Sequence, residues 1–194
     1  MADLITEKFK EWSWGKDPVS ARIAVFERVR DIPYAVTQET QDGVSGPTEM
    51  LRLNRGSCQP KHLLLGEMFE RLNLTVFYLV YRFRWHTLFD YPTEIMKLAK
   101  RMPEARHLCL KVEIGDELAL VDATADPPLA KIGFPVNEYW DGYSSLELPF
   151  VPEDEGEIYH PSERIVTAPR LFPDVETDFF RALNEFLDKA RLIR

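Results

Sequence analysis

The sequence predicts a single α+β domain, spanning residues 1–194, in which helices pack on an antiparallel β-sheet. Three observations favour this fold class. Apolar residues recur at helical spacing before residue 73, strand-like runs follow at 75–85, 107–114 and 117–121, and helical spacing returns after residue 174. A two-residue turn at Gly115-Asp116 joins two of the strand-like runs and makes that pair antiparallel.

The first helical pattern runs from Pro18 to Val29 and ends before Pro33, whose ring disfavours helix in the residue before it. A loop of polar and chain-breaking residues occupies positions 37–47. A second helix is predicted from Ser57 to about Leu72, with Pro60 in the first turn, where a helix tolerates proline. The buried stripe of this helix has four-residue spacing and consists of Leu64, Met68 and Leu72.

Strands are predicted in the middle of the chain. Asn73 interrupts the second helix as a left-handed stop. Residues 75–85 then alternate, which indicates a strand with one apolar face. That predicted face consists of Phe77, Leu79, Tyr81, Phe83 and Trp85. Two further strands, His107 to Ile114 and Glu117 to Val121, are expected to form a hairpin around Gly115-Asp116.

The register of this hairpin brings polar groups together. A turn centred on Gly115-Asp116 places Cys109 opposite Asp122, and the next pair on the same face is His107 with Thr124. The other face carries only apolar residues, which supports this register independently. These are Leu108, Leu110 and Val112, opposite Ala123, Val121 and Ala119.

The remaining segments surround this core. A short amphipathic helix is expected at Thr93 to Arg101. The proline-rich stretch at about 126–169 predicts wrapping loops and edge strands, and its acidic run, residues 153–157, is interpreted as a solvated turn. A packed C-terminal helix is predicted at about 174–191.

Composition excludes several classes of partner. With 24 Lys and Arg against 32 Asp and Glu, the chain has a net charge of -8, which opposes binding to nucleic-acid phosphates or anionic lipid. The two cysteines are too few for a disulfide scaffold, so reduced thiols are expected, with one bridge as the alternative. No signal-peptide pattern or membrane-spanning run is found, and a cytoplasmic location is expected.

Cys58 is the candidate nucleophile. It stands in the first turn of the predicted second helix, where free amide protons and the helix dipole stabilise a thiolate. Gly56 is expected to allow a substrate to approach the backbone closely. A thiol nucleophile also needs an imidazole that holds its proton and a group that orients the imidazole.

His107 and Asp122 meet these two needs, because diagonal neighbours across a hairpin lie about 7–8 Å apart at the backbone. We therefore predict that His107 acts as proton acceptor and donor and that Asp122 orients the imidazolium. The amide of Cys58 is one expected oxyanion donor. The second donor stays open among Trp12, Trp14, Tyr34, Gln38 and Gln41.

The order of these motifs resembles the transglutaminase-like family within the papain-like cysteine protease superfamily. The likeness covers about residues 32–124. It rests on Ile32-Pro33-Tyr34, on the stretch from Gly56 to Leu64, on the passage from Arg71 to Val80, and on His107 followed by Asp122-Ala123-Thr124. Cys109 and Ala123 replace an aromatic residue and a proline that relatives often have, so the likeness carries no substrate preference.

The resemblance implies a papain-like fold and a triad of Cys58, His107 and Asp122. It also implies acyl transfer through a thioester, by an amide or ester hydrolase or a transglutaminase-like transferase. The expected substrate is a peptide, amide or ester, and no cofactor or metal is expected. The oligomeric state is left open.

Three alternatives accompany this interpretation. A non-catalytic domain of the same fold would serve as a binding module. Arylamine N-acetyltransferases show a similar triad order and a similar Arg55-Gly56-Ser57-Cys58 element. A tetrahedral zinc site would use two sulfurs and two imidazoles, from Cys58, His62, His107 and Cys109.

Overall fold

The computed structural model describes residues 3–160, 163 and 171–193. The helices are Leu4–Ser13 (α1), Pro18–Arg30 (α2), Gly46–Leu53 (α3), Cys58–Arg71 (α4), Trp85–Leu88 (α5), Thr93–Ala99 (α6) and Asp174–Arg191 (α7). The strands are Val76–Phe83 (β1), Ala105–Ile114 (β2), Glu117–Val121 (β3) and Glu157–Tyr159 (β4). They form one antiparallel sheet in the order β3-β2-β1-β4. The fold is therefore α+β, and no helix in the described ranges has the length and apolar character needed to cross a bilayer.

Helix α4 packs across one face of the sheet and forms the centre of the larger core. Four of its residues are fully buried in that core: Leu64, Leu65, Met68 and Phe69. The helix lies so close to β1 that a Cβ atom added at Gly66 would come within 2.5 Å of Tyr78 Oη. The helix ends as predicted, because Asn73 adopts a left-handed conformation with φ of 61°.

The predicted hairpin register is confirmed. Leu110 stands opposite Val121, and Val112 stands opposite Ala119. Gly115 occupies the turn with φ of 65°. Glycine adopts this left-handed conformation at little cost in free energy, because it has no Cβ atom. The ladder between β2 and β3 ends at Val121, so the chain continues beyond the paired strands directly into Asp122.

The expectation of one apolar face on the first strand is wrong, because both faces of β1 are covered. Val76 and Tyr78 contribute to the core beneath α4, although the alternation placed Tyr78 on the polar side. Phe83, on the other face, belongs to a second core built around α7. The strand ends at Phe83, and Trp85 begins α5 instead of extending the strand.

Two helices that the sequence patterns did not indicate precede Cys58. Helix α1 begins where the Asp3 carboxylate accepts a hydrogen bond from the Thr6 amide at 2.9 Å. Its composition is mostly polar, and only Ile5 and Trp12 are buried, which explains the weak periodic signal. Helix α3 has only eight residues and ends at Asn54, which is left-handed.

The proline-rich segment does wrap around the sheet and supplies the edge strand β4. Its acidic run is solvent-exposed, as predicted, and it also forms exposed ion pairs with Arg82 of β1 and with Arg84, just after this strand. Arg82 contacts Glu157 at 3.3 Å, and Arg84 contacts Glu153 at 3.5 Å. The part of the predicted 126–169 segment at positions 161–162 and 164–169 lies outside the described residues.

Helix α7 matches the predicted C-terminal helix and is fixed to the chain segment that precedes the candidate nucleophile. Asn184 exchanges two hydrogen bonds with the backbone of Val36, at 3.0 and 2.8 Å. Arg191 donates to both oxygens of the buried Asp126 carboxylate and to the carbonyl of Tyr34. The position of Tyr34 therefore depends on contacts more than 140 residues away in the chain.

We predict that Arg191→Ala lowers the free energy of unfolding by about 3 kcal/mol, because it leaves the buried Asp126 carboxylate without its partner. Arg181→Ala is the matched control, since Arg181 also pairs with an aspartate on α7 but is exposed. Urea unfolding of both variants measures the difference. Equal stabilities of the two variants would contradict this role of Arg191.

Candidate active site

Cys58 is the first residue of α4, and close packing fixes the backbone before it. Gly56 pairs with the segment ahead of α3, donating to Pro33 O and accepting from Ala35 N, both at 3.1 Å. A Cβ atom at Gly56 would come within 2.6 Å of Met50. The glycine is therefore required by contact with Met50 of α3, which corrects the expectation that it makes room for a substrate.

His107 and Asp122 form the predicted pair. His107 Nε2 lies 2.5 Å from Asp122 Oδ2, and both side chains are buried. The other carboxylate oxygen, Oδ1, accepts from the amide of Thr124 at 2.9 Å. The carboxylate thus has a backbone donor on one side and the imidazole on the other.

Cys58 completes the arrangement, because it lines the same pocket as His107 and lies close enough to raise the pKa of that imidazole. Since Nε2 of the imidazole is bound to Asp122, Nδ1 is the nitrogen left for the sulfur. The structure therefore brings Cys58, His107 and Asp122 together in the predicted order.

The charges of this group favour an imidazolium. Burial opposes the protonated form of His107, but the negative charges of Asp122 and Cys58 and the hydrogen bonds to both raise its pKa to about 10. Burial likewise opposes ionisation of Asp122, yet the charge and hydrogen bond of His107 hold its pKa well below the usual range. At neutral pH the site accordingly contains a carboxylate and a positively charged imidazole.

His62 is a second buried histidine, which corrects the expectation from sequence that it is an exposed or half-buried helix residue. Its Nδ1 lies 2.8 Å from the carbonyl oxygen of Cys58, and its Nε2 accepts from the amide of Ala123 at 2.9 Å. Because a carbonyl only accepts and an amide only donates, the ring must be neutral with its proton on Nδ1. Burial, which outweighs the charge of Asp122, lowers its pKa to about 4 and agrees with this form.

Lys61, next to His62, also binds the backbone of the segment that follows Asp122. Its ammonium is fully buried and donates to the carbonyls of Arg30, Ala123 and Thr124 at 2.8, 3.3 and 2.8 Å. Three acceptors match the three N–H bonds of an ammonium group. Together, Lys61 and His62 tie the first turn of α4 to the segment that carries Asp122. The sequence showed a lysine in the first turn of the predicted helix, at the fourth position of Cys58-Gln59-Pro60-Lys61. Its buried role was missed, because a lysine in a sequence is normally assigned to the surface.

A pocket of about 320 Å³ opens onto the candidate nucleophile and base. Cys58 and His107 both line it, whereas Asp122 lies behind the imidazole in buried surroundings. Phe150 and Phe83 hold the imidazole edge-on, with ring centroids 5.1 and 6.4 Å away. The site is thus a preformed concave surface with the thiol at one end.

Only two of the five candidates for the second oxyanion donor line this pocket: Tyr34 and Gln41. Trp12 is buried in the other core, and Trp14 is 84% exposed. Gln38 accepts from the Phe172 amide through its side-chain oxygen. The structure therefore reduces the choice to Tyr34 and Gln41.

The zinc alternative requires His62 as a ligand, and the structure contradicts this, because both of its ring nitrogens are bound to the backbone. The described residues that bring metal-ligand atoms together are His107, Cys109 and Asp122, with all three atoms within 4.8 Å of one another. In this trio, His107 and Asp122 bind each other. Burial raises the pKa of Cys109, so that its sulfur is held as a thiol, a poorer metal ligand than a thiolate.

Comparisons of the chain with protein-family models, with curated proteins and with solved structures found no match.

The imidazolium of His107 predicts a defined pH dependence of stability. Because the folded-state pKa of about 10 exceeds the ordinary value of about 6.5, the contribution of His107 is complete below about pH 6.5 and is lost as the pH rises through about 10. We expect the stability difference between the wild type and His107→Gln, measured by urea unfolding, to shrink over this range. A difference that stays constant from about pH 6 to about pH 10 would show that His107 gains no charge on folding.

Proposed function

We propose that the protein is a thiol-dependent acyl-transfer enzyme that cleaves an amide or ester through a thioester on Cys58. The observation that carries the proposal is a buried His107–Asp122 pair whose imidazole lines the same open pocket as Cys58. Each of these three residues has the partner that its role requires. The transglutaminase-like resemblance adds an expectation of the same chemistry but does not identify the acyl acceptor.

The proposed reaction begins with attack of the Cys58 sulfur on the substrate carbonyl carbon. The C–S bond forms as the carbonyl electron pair moves to oxygen, which gives an oxyanion. The oxyanion then collapses, the bond to the leaving nitrogen or oxygen breaks, and the His107 imidazolium gives that atom its proton. The product of this half-reaction is a thioester.

Water completes the cycle in the hydrolytic form of the reaction. His107, now neutral, takes a proton from the water molecule that attacks the thioester, and the C–S bond breaks to return the thiolate and a carboxylic acid. An amine acceptor follows the same path and yields a new amide. Hydrolysis is the proposed main outcome, with transfer as the second.

We assign the second oxyanion donor to Tyr34. The side-chain nitrogen of Gln41 already donates to Thr37 O at 3.0 Å, and it lies 3.5 Å from Ser57 Oγ. The Tyr34 hydroxyl, in contrast, has no hydrogen-bond partner among the residues that the structure describes. Burial and the nearby charge of Cys58 raise the pKa of Tyr34 well above its ordinary value, so the hydroxyl retains its proton for donation.

We predict that iodoacetamide alkylates Cys58 at about pH 6 at least about tenfold faster than glutathione, because the imidazolium of His107 stabilises the thiolate. His107→Ala should return the rate to the pH profile of a free thiol, whose pKa is about 8.5. Peptide mass spectrometry locates the label. Cys109 is fully buried and serves as the internal control that stays unlabelled.

A wild-type rate that follows the free-thiol profile would contradict the enzyme proposal and favour a binding module. Asp122→Asn separates the roles within the triad, since it keeps the size of the side chain but removes its charge. We expect an alkylation rate between those of the wild type and His107→Ala.

A second prediction concerns Tyr34. Tyr34→Phe should lower kcat for p-nitrophenyl acetate by about 10²-fold, the typical effect of removing one oxyanion donor. The same variant should leave iodoacetamide alkylation of Cys58 unchanged, because alkylation forms no oxyanion. Parallel losses in both reactions would indicate that Tyr34 supports the structure of the site and does not stabilise the oxyanion.

A further inference from the structure

The pocket beside Cys58 and His107 has two chemically different ends. The polar end surrounds the sulfur and contains Gln41, Ser57 and Gln59. The Gln59 side chain donates a hydrogen bond to the Gln41 carbonyl at 3.1 Å, so two residues of this end are joined to each other. The aromatic end begins beside the His107 imidazole, which contacts Phe83 and Phe150. It is lined by Phe83, Trp85, Phe134, Phe150, Phe172 and Phe180.

The aromatic rings form a continuous and preformed wall. Phe83 contacts both Trp85 and Phe150, with ring centroids 5.0 and 5.2 Å apart. Trp85 continues to Phe180 at 5.6 Å, and Phe180 to Phe172 at 4.8 Å. Rings packed in this way exclude water from the surface they present without having to rearrange when a ligand binds.

Among the described residues, the charged groups that line the pocket are solvated or already paired, since the buried His107 imidazolium is bound to Asp122. Glu104 and Arg106 are exposed, so water solvates them. Glu176 is buried but already interacts within the protein. An anionic substrate group that entered the aromatic end would therefore lose its hydration without compensation, whereas an apolar group would gain free energy.

We infer that the aromatic end binds the acyl part of the substrate and selects a bulky apolar acyl group, either arylalkyl or medium-chain alkyl. Short acyl groups such as acetyl leave this end empty, and acyl groups with a terminal carboxylate are disfavoured there. The inference rests on the proposed acyl-transfer function, because it assumes that the reacting carbonyl lies at Cys58 and the rest of the acyl group extends along the aromatic wall.

Four p-nitrophenyl esters test this selection: the acetate, hexanoate, 3-phenylpropanoate and monosuccinate. All four release the same phenolate, and the rate of each ester with glutathione corrects for its intrinsic reactivity. Full burial of one methylene favours binding about fourfold. We expect corrected kcat/KM values for the hexanoate and the phenylpropanoate at least about tenfold above the acetate, and a value for the monosuccinate below it.

The outcomes separate the inference from the function on which it rests. Equal corrected values for all four esters, together with rapid alkylation of Cys58 by iodoacetamide, would overturn the acyl selectivity and leave the enzyme proposal standing. Failure of all four esters and of iodoacetamide to react would overturn both. Preference for the monosuccinate would overturn the inference alone.

Two methionines provide a matched pair of variants. Met102 and Met96 are both half-buried against the core around α7, but only Met102 is among the residues that line the pocket. Met102→Gln should lower the hexanoate-to-acetate ratio about tenfold, and Met96→Gln should leave it unchanged. The ratio comes from one sample, so it does not depend on the fraction of folded protein. Equal effects of the two variants would overturn the assignment of the pocket.

Discussion

The contact between the first turn of α4 and residues 122–124 is the constraint on which the candidate site depends. Lys61 and His62 point from this turn into a fully buried region, and their polar atoms bind carbonyl and amide groups of the backbone. Breaking either connection leaves buried polar groups without partners, at a cost of about 1–3 kcal/mol for each group. Cys58 and Asp122 are therefore held in a fixed relation, although 64 residues separate them in the chain.

The two halves of the site come from the two cores. The larger core beneath α4 contains Leu108 and Ala123, the chain neighbours of His107 and Asp122, together with the buried face of the helix that begins at Cys58. The second core, around α7, supplies the aromatic wall of the pocket. The two cores meet at the imidazole, because Phe83 and Phe150 of the second core contact His107. The reacting groups and the proposed acyl-binding surface are therefore adjacent.

Local patterns were sufficient to predict α4, the hairpin and the contact between His107 and Asp122. Proline at the third position of α4, Asn73 at its end and Gly115 in the turn each act through the backbone of a few neighbouring residues, which explains why sequence reveals them. The burial of Lys61, the covered second face of β1 and the pocket walls depend on contacts between distant segments. Even Gly56 was misinterpreted, because its close neighbour is Met50 and only the fold brings the two together.

The protonation state of His107 is the most direct test of the account, and nitrogen NMR of labelled protein measures it. The account predicts that both ring nitrogens of His107 remain protonated through neutral pH, because its pKa is raised to about 10, while His62 stays neutral with its proton on Nδ1. In Cys58→Ser the His107 pKa should fall, since one of the two negative charges is removed. Titration of wild-type His107 near the ordinary value of about 6.5, unchanged in Cys58→Ser, would contradict the coupled thiolate, imidazolium and carboxylate.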